Sequence, residues 1–145
     1  MLAEHLKHYQ IHPQVLEHYD FKVYHLQNCR GIICLHTDLG RKCLKRFKFS
    51  EPELIFSYQA IEHLVKKGFK NVARFIPTRS GHPYLNIEGQ LYFLTDWIHG
   101  EHCDYENLKE LSLASKTLAR LHLASHGFEP PPGCEEKIRW GRWPE

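Results

Sequence analysis

The sequence lacks any apolar run of about 18 residues, so no segment reads as a membrane-crossing helix. Its opening residues carry Glu4, His5, Lys7 and His8 and lack the apolar stretch of a secretory leader. The expectation is a soluble, intracellular chain with no membrane partner. Charge of one sign is also missing. Lys plus Arg number 19 and Asp plus Glu 17, for a formal charge of +2. That balance argues against nucleic acid or an anionic membrane surface as a partner. No Cys-x-x-Cys pair occurs among Cys29, Cys34, Cys43, Cys103 and Cys134. An odd number of scattered cysteines, several in apolar runs, predicts reduced thiols and no disulfide framework. No internal repeat is present.

What is there suits one folded domain or two small lobes. The chain has 145 residues, 42% hydrophobic and 25% charged, enough to bury a real core. A short helix and a loop containing Pro13 are expected over residues 1–20. Strands are predicted over 21–27, 32–37 and 41–49, joined by turns at Asn28 to Gly31 and Thr37 to Gly40. Ser50 followed by Glu53 reads as a capping box opening a helix over 51–67. Pro52 is harmless in its first turn, and Gly68 closes it. Further strands are predicted over 72–78, 83–87 and 91–98, with a turn at Glu88 and Gly89. A second helix is expected over 105–125, with Leu108, Leu111, Ala114, Leu118 and Leu121 on its apolar face. The fold class is therefore α+β, with an antiparallel sheet, one long helix, and helical structure beyond it.

Lys45 is the first residue with chemistry in its setting. Alternation places Arg41, Cys43, Lys45 and Phe47 on one face of their strand. An ammonium between apolar neighbours can grip phosphate oxygens. A lysine on the third strand of a meander, just before a helix, resembles the lysine strand of protein-kinase-like folds. Cys43 would then lie against a nucleotide base. Glu53 is the nearest ion-pair partner for Lys45 on the following helix, although capping competes for it. The turn at Asn28 to Gly31 holds one glycine where a kinase phosphate loop has three. The ordinary reading of Lys45 is a solvated strand lysine.

The twelve histidines raise a metal reading. His122 and His126 stand at i and i+4, but Leu123 occupies the place of a zincin's general base. His99, His102 and Cys103 could add ligands only if the fold gathers them. No metal site is assigned. The basic run Arg41, Lys42, Lys45, Arg46, Lys48 alternates with apolar residues and reads as a solvated strand edge. Phosphoryl transfer further requires a catalytic loop of the form His-x-Asp with a following Asn, and a second Asp for Mg²⁺. The sequence is read as lacking this machinery, so no residue is assigned as catalytic.

Taken in order, the segments resemble the CotS family of bacterial spore coat proteins, which is similar to aminoglycoside and choline phosphotransferases. They are Glu17 to Asp20, Arg30-Gly31, Thr37 to Gly40, Leu44-Lys45, Lys67-Gly68-Phe69 and Thr78 to Gly81. Trp97 to Gly100 with Cys103-Asp104 follows, and then Leu118 to His122. The resemblance implies a kinase-like N-lobe over 1–97 and a hinge with the first helices of a C-lobe over 98–145. Trp97 and Ile98 would join Lys45 and Cys43 as nucleotide contacts. His122 would face the C-lobe core. With Trp140 and Trp143 close to the last residue, that C-lobe is expected to be incomplete. The implied function is a kinase-like structural component of the spore coat, made in the mother cell and assembled with other coat proteins or with itself. The alternative is the N-terminal part of an ATP-dependent small-molecule phosphotransferase, which would use ATP and Mg²⁺.

Overall fold

The structure is a computed structural model and describes residues 2–134. Trp140 and Trp143 lie outside the described residues. The chain divides into two compact units. One comprises Met1–Phe49 with Ala73–Ile98, the other Ser50–Val72 with His99–Glu145. The first carries the sheet and the second the two long helices.

The sheet unit begins with helix α1 (Leu2–His8) and a 3₁₀ helix (Pro13–His18). Strands β1 (Val23–Cys29), β2 (Ile32–Thr37) and β3 (Gly40–Phe47) follow as a meander, and β4 (Leu85–Ile87) and β5 (Gln90–Asp96) complete it. All five strands are antiparallel in the order β1-β2-β3-β5-β4. The antiparallel meander expected from sequence is present, within a five-stranded antiparallel sheet.

Two hairpins share one device. Arg30 and Gly31 both have positive φ, as do Glu88 and Gly89. Each pair forms a two-residue turn of the type that matches strand twist. In each, an asparagine side chain accepts from the glycine N–H, Asn28 from Gly31 at 2.7 Å and Asn86 from Gly89 at 3.0 Å.

One sheet face holds Leu26, Ile33, Leu35, Leu44, Leu94 and Tyr92, all buried. The N-terminal segment covers it with Leu6, Ile11, Val15 and Tyr19 in one continuous cluster. Arg79 locks this cover in place. Its guanidinium pairs with Asp20 and donates to the Tyr19 carbonyl at 3.2 Å, and its backbone N–H donates to the His18 carbonyl at 2.7 Å. Two of the segments behind the family resemblance, Glu17 to Asp20 and Thr78 to Gly81, therefore meet each other. Their role is structural.

The strand expected over 72–78 is not formed. Only Phe75 bridges to Thr95, with the Ile76 N–H donating to the Leu94 carbonyl at 2.8 Å. Pro77 has no N–H to continue the ladder. The last strand also stops at Asp96 rather than 98.

In the helical unit, α2 (Glu51–Lys66) starts as expected. The Glu53 carboxylate accepts from the Ser50 N–H at 3.0 Å and the Ser50 hydroxyl at 2.9 Å. Gly68, with positive φ, ends it. Its N–H reaches the Val65 carbonyl and that of Phe69 reaches Leu64, the paired bonds of a Schellman motif. Helix α3 (Leu108–Ser125) begins three residues later than expected, because Asn107 is its cap and accepts from the Lys109 N–H. Phe128 packs edge-on against Phe56 and His63, which joins the end of α3 to α2.

Candidate functional site

The sheet face opposite the leucine core carries the candidate residues. Pairing of β3 with β5 sets Cys43 across from Thr95 and Lys45 across from Phe93. Residues directly opposite share a face, so these four project to one side. Phe75 stacks on Phe93 at 4.3 Å between centroids. The Lys45 ammonium sits 5.7 Å from the Phe93 centroid, within cation–π range. Lys45 is half-buried, as a cation beside apolar walls should be.

Burial raises the Cys43 thiol pKa, while the Lys45 charge and the Thr95 hydrogen bond oppose that rise. Trp97 continues from β5, and its N–H donates to the Arg41 carbonyl at 3.1 Å, two positions along β3 from Cys43. Trp97 is half-buried and Ile98 is exposed. Glu53 belongs to the helical unit, where its carboxylate is engaged at the cap of α2.

A cleft of about 430 Å³ opens at the end of the sheet unit, beside the β1–β2 hairpin. Lys45, Arg46 and Lys48 line it together with Asn28, Gly31 and Phe93. No carboxylate is among its lining residues. Three cations without a counter-charge make this cleft suited to an anion. Two features reduce its grip. Arg46 already donates to the Gln10 side chain at 3.1 Å, and the Gly31 N–H is held by Asn28. A turn of two residues has little free backbone with which to wrap phosphates.

Sequence reasoning missed the partners on β5. Lys42, on the leucine side, pairs with Asp96. Thr95 is buried beside Cys43. Neither is visible without the β3–β5 register, which joins residues some 54 positions apart.

The literal tripeptide His-x-Asp does occur, contrary to the sequence expectation, as His18-Tyr19-Asp20, His36-Thr37-Asp38 and His102-Cys103-Asp104. In none does the kinase spacing put Asn five residues after the Asp; His25, Cys43 and Lys109 stand there. Asp20 is bound to Arg79. Asp38 accepts from the Lys22 N–H at 2.8 Å, beside the β2–β3 turn. Asp104 accepts from the Glu106 N–H at 3.0 Å, in the turn leading to α3. All three aspartates have structural work.

The histidine readings separate likewise. His122 is exposed on α3. His126 ends that helix, and its carbonyl oxygen lies 3.2 Å from the His63 ring. Among the described residues, no three His, Cys, Asp or Glu side chains converge in a metal-holding arrangement. No described helix is long and apolar enough to cross a membrane.

No protein-family model matches the chain. It is 27% identical over 139 residues to spore coat protein S of Bacillus subtilis, a match covering 92% of this chain and 39% of that protein. It also resembles the crystal structure of an aminoglycoside phosphotransferase from Alicyclobacillus acidocaldarius. That match has a TM-score of 0.74 at 25% identity and covers 82% of this chain and 36% of the other. The chain thus spans less than two fifths of the length of each of these two proteins. Its antiparallel sheet with accompanying helices has a kinase-like fold, and the chain is homologous to a Bacillus spore coat protein.

Proposed function

We propose that the chain is a kinase-like structural component of the spore coat, of the CotS type, and that these 145 residues do not themselves transfer phosphate. The observation that carries this reading is the β1–β2 hairpin. It keeps the shape of a phosphate loop's position in the sheet, yet its Gly31 amide is spent on Asn28. The similarity to spore coat protein S along most of the chain supports the same reading. Lys45, Cys43, Trp97 and Ile98 would form a remnant nucleotide face. Glu53 would be the ion-pair partner of Lys45. The partners would be other coat proteins or further copies of the chain, and its place the spore coat.

The second reading is the N-terminal part of an ATP-dependent small-molecule phosphotransferase. Lys45 beside Cys43 on a kinase-like sheet favours it. ATP-dependent phosphorylation of a small alcohol separates the two. The 145-residue chain is expected to show none, because positioning and charge stabilisation are nearly the whole of this catalysis. Turnover that a Lys45→Ala variant abolishes would overturn the structural reading. A longer gene product with His-x-Asp and Asn at kinase spacing would favour the enzyme.

A further inference from the structure

Three of the five cysteines fall on one sheet face, the face that also carries Lys45. The register fixes this. Cys34 of β2 lies directly across from Cys43 of β3. Cys29 of β1 pairs with Ile32, one diagonal step from Cys34. Cys29 and Cys34 are therefore diagonal neighbours on this face. Cys29 is partly exposed and accepts from the Gln27 amide at 3.3 Å, whereas Cys34 and Cys43 are buried.

The Cys34–Cys43 pair has the geometry of a cross-strand link. The β2–β3 loop has two residues and is closed by Thr37 and Gly40. Hydrogen-bonded and non-hydrogen-bonded pairs alternate from there, which makes Cys34 and Cys43 a non-hydrogen-bonded pair. Such pairs have Cα atoms about 4.5 Å apart, at the short end of the range a disulfide spans. The diagonal from Cys29 to Cys34 is longer, about 7–8 Å for such neighbours, beyond the usual disulfide span. A bond there would be strained and would exchange.

We propose that Cys34 and Cys43 form a reversible cross-strand disulfide, and that partly exposed Cys29 is the thiol through which a peroxide oxidant acts. Oxygen transfer from hydrogen peroxide to Cys29 gives a sulfenic acid and one water. Cys34 attacks that sulfur, the S–O bond breaks, and a second water leaves. Cys43 then attacks the Cys34 sulfur. The Cys29–Cys34 bond breaks, and Cys29 leaves as a thiol carrying the proton that Cys43 lost. Two thiols and one peroxide become one disulfide and two waters, with the electron pair passing from the thiols to the peroxide oxygens. A thiol bound to metal would compete, but no three metal-ligating groups converge among the described residues.

The test uses the whole chain, reduced, treated with hydrogen peroxide while folded, then denatured, alkylated with iodoacetamide and cut with trypsin. Cleavage after Arg30, Arg41, Lys42 and Lys45 puts the three cysteines on separate peptides. The expected product is the peptide 31–41 joined to 43–45, two hydrogens lighter than its parts and released by dithiothreitol. Cys34→Ala and Cys43→Ala should each abolish it. Cys29→Ser should slow its formation several-fold without changing the product. If one alanine variant fails to fold, the other and the peptide map of the unaltered chain decide. A product in which Cys29 remains linked, a sulfinate at Cys29 with Cys34 and Cys43 still alkylated, a link to Cys103 or Cys134, or a Cys29→Ser rate equal to that of the unaltered chain would each overturn the proposal.

Discussion

On the sheet, Leu35 and Leu94 are 0% exposed and Leu44 is 1% exposed; on α3, Leu108, Leu111 and Leu118 are 78, 39 and 52% exposed. Both sets of leucines share a face by period, two for the strands and 3.6 for the helix. Periodicity says which residues share a face. It does not say whether anything covers that face. In the sheet unit the cover is the N-terminal segment, stitched down by Arg79 and Asp20. In the helical unit an apolar groove of about 540 Å³, lined by Phe69, Val72, Leu113, Leu118 and Leu121, stays open among the described residues. Leu121, from the same apolar face, is half-buried in that groove.

The contrast is broken most sharply by truncating one leucine from each region. Leu35→Ala should cost about 2–5 kcal/mol of unfolding free energy, because its cavity opens in a closed core. Leu113→Ala should change it by about 0.5 kcal/mol or less, as an exposed site does. Urea unfolding of both variants measures the difference. Equal costs would mean that α3 is as well covered as the sheet.

A smaller effect is expected at the hairpins. Gly89 has φ of +81° with nothing within 4 Å of an added Cβ, so Gly89→Ala should cost only backbone strain. About 1–2 kcal/mol is the expected loss. The same unfolding curves would show it.

Alkaline pH should weaken the sheet unit through its buried thiols. Burial raises the pKa of Cys34 and of Cys43. The folded chain therefore holds these protons at a pH where the unfolded chain has lost them. That stability is fully present below the ordinary thiol pKa of about 8.5 and declines as pH rises above it. The thermal midpoint should fall between about pH 8 and 10, and fall less in Cys34→Ala. A pH-independent midpoint would contradict the burial of these thiols.

Arg79→Ala should have only a small effect on global stability, about 1 kcal/mol or less, because its pair with Asp20 is solvent-exposed. It should instead loosen the N-terminal cover locally, read as faster proteolysis ahead of β1.

The hairpins and the α2 cap were legible because their signals are local. Asn28 and Asn86 each precede a turn glycine by three residues, and Glu53 follows Ser50 by three. The 72–78 segment misled because its apolar residues look strand-like, while Pro77 and a single bridge at Phe75 decide otherwise. Cys43 and Lys45 were correctly placed on one face by alternation. Their neighbours Thr95 and Phe93 came only from the register, which local sequence does not encode. The three His-x-Asp tripeptides show the reverse fault, a motif met in letters whose aspartates serve other bonds.

Hydrogen exchange on the whole chain tests the central contrast most directly, because slow exchange reports closed, buried structure. Amides of β2, β3 and β5 are expected to exchange slowest, and those of α3 from Leu108 to Leu118 much faster, at the same pH and concentration. Protection in that part of α3 equal to that of the central strands would contradict the account. It would show that the helix face is covered after all.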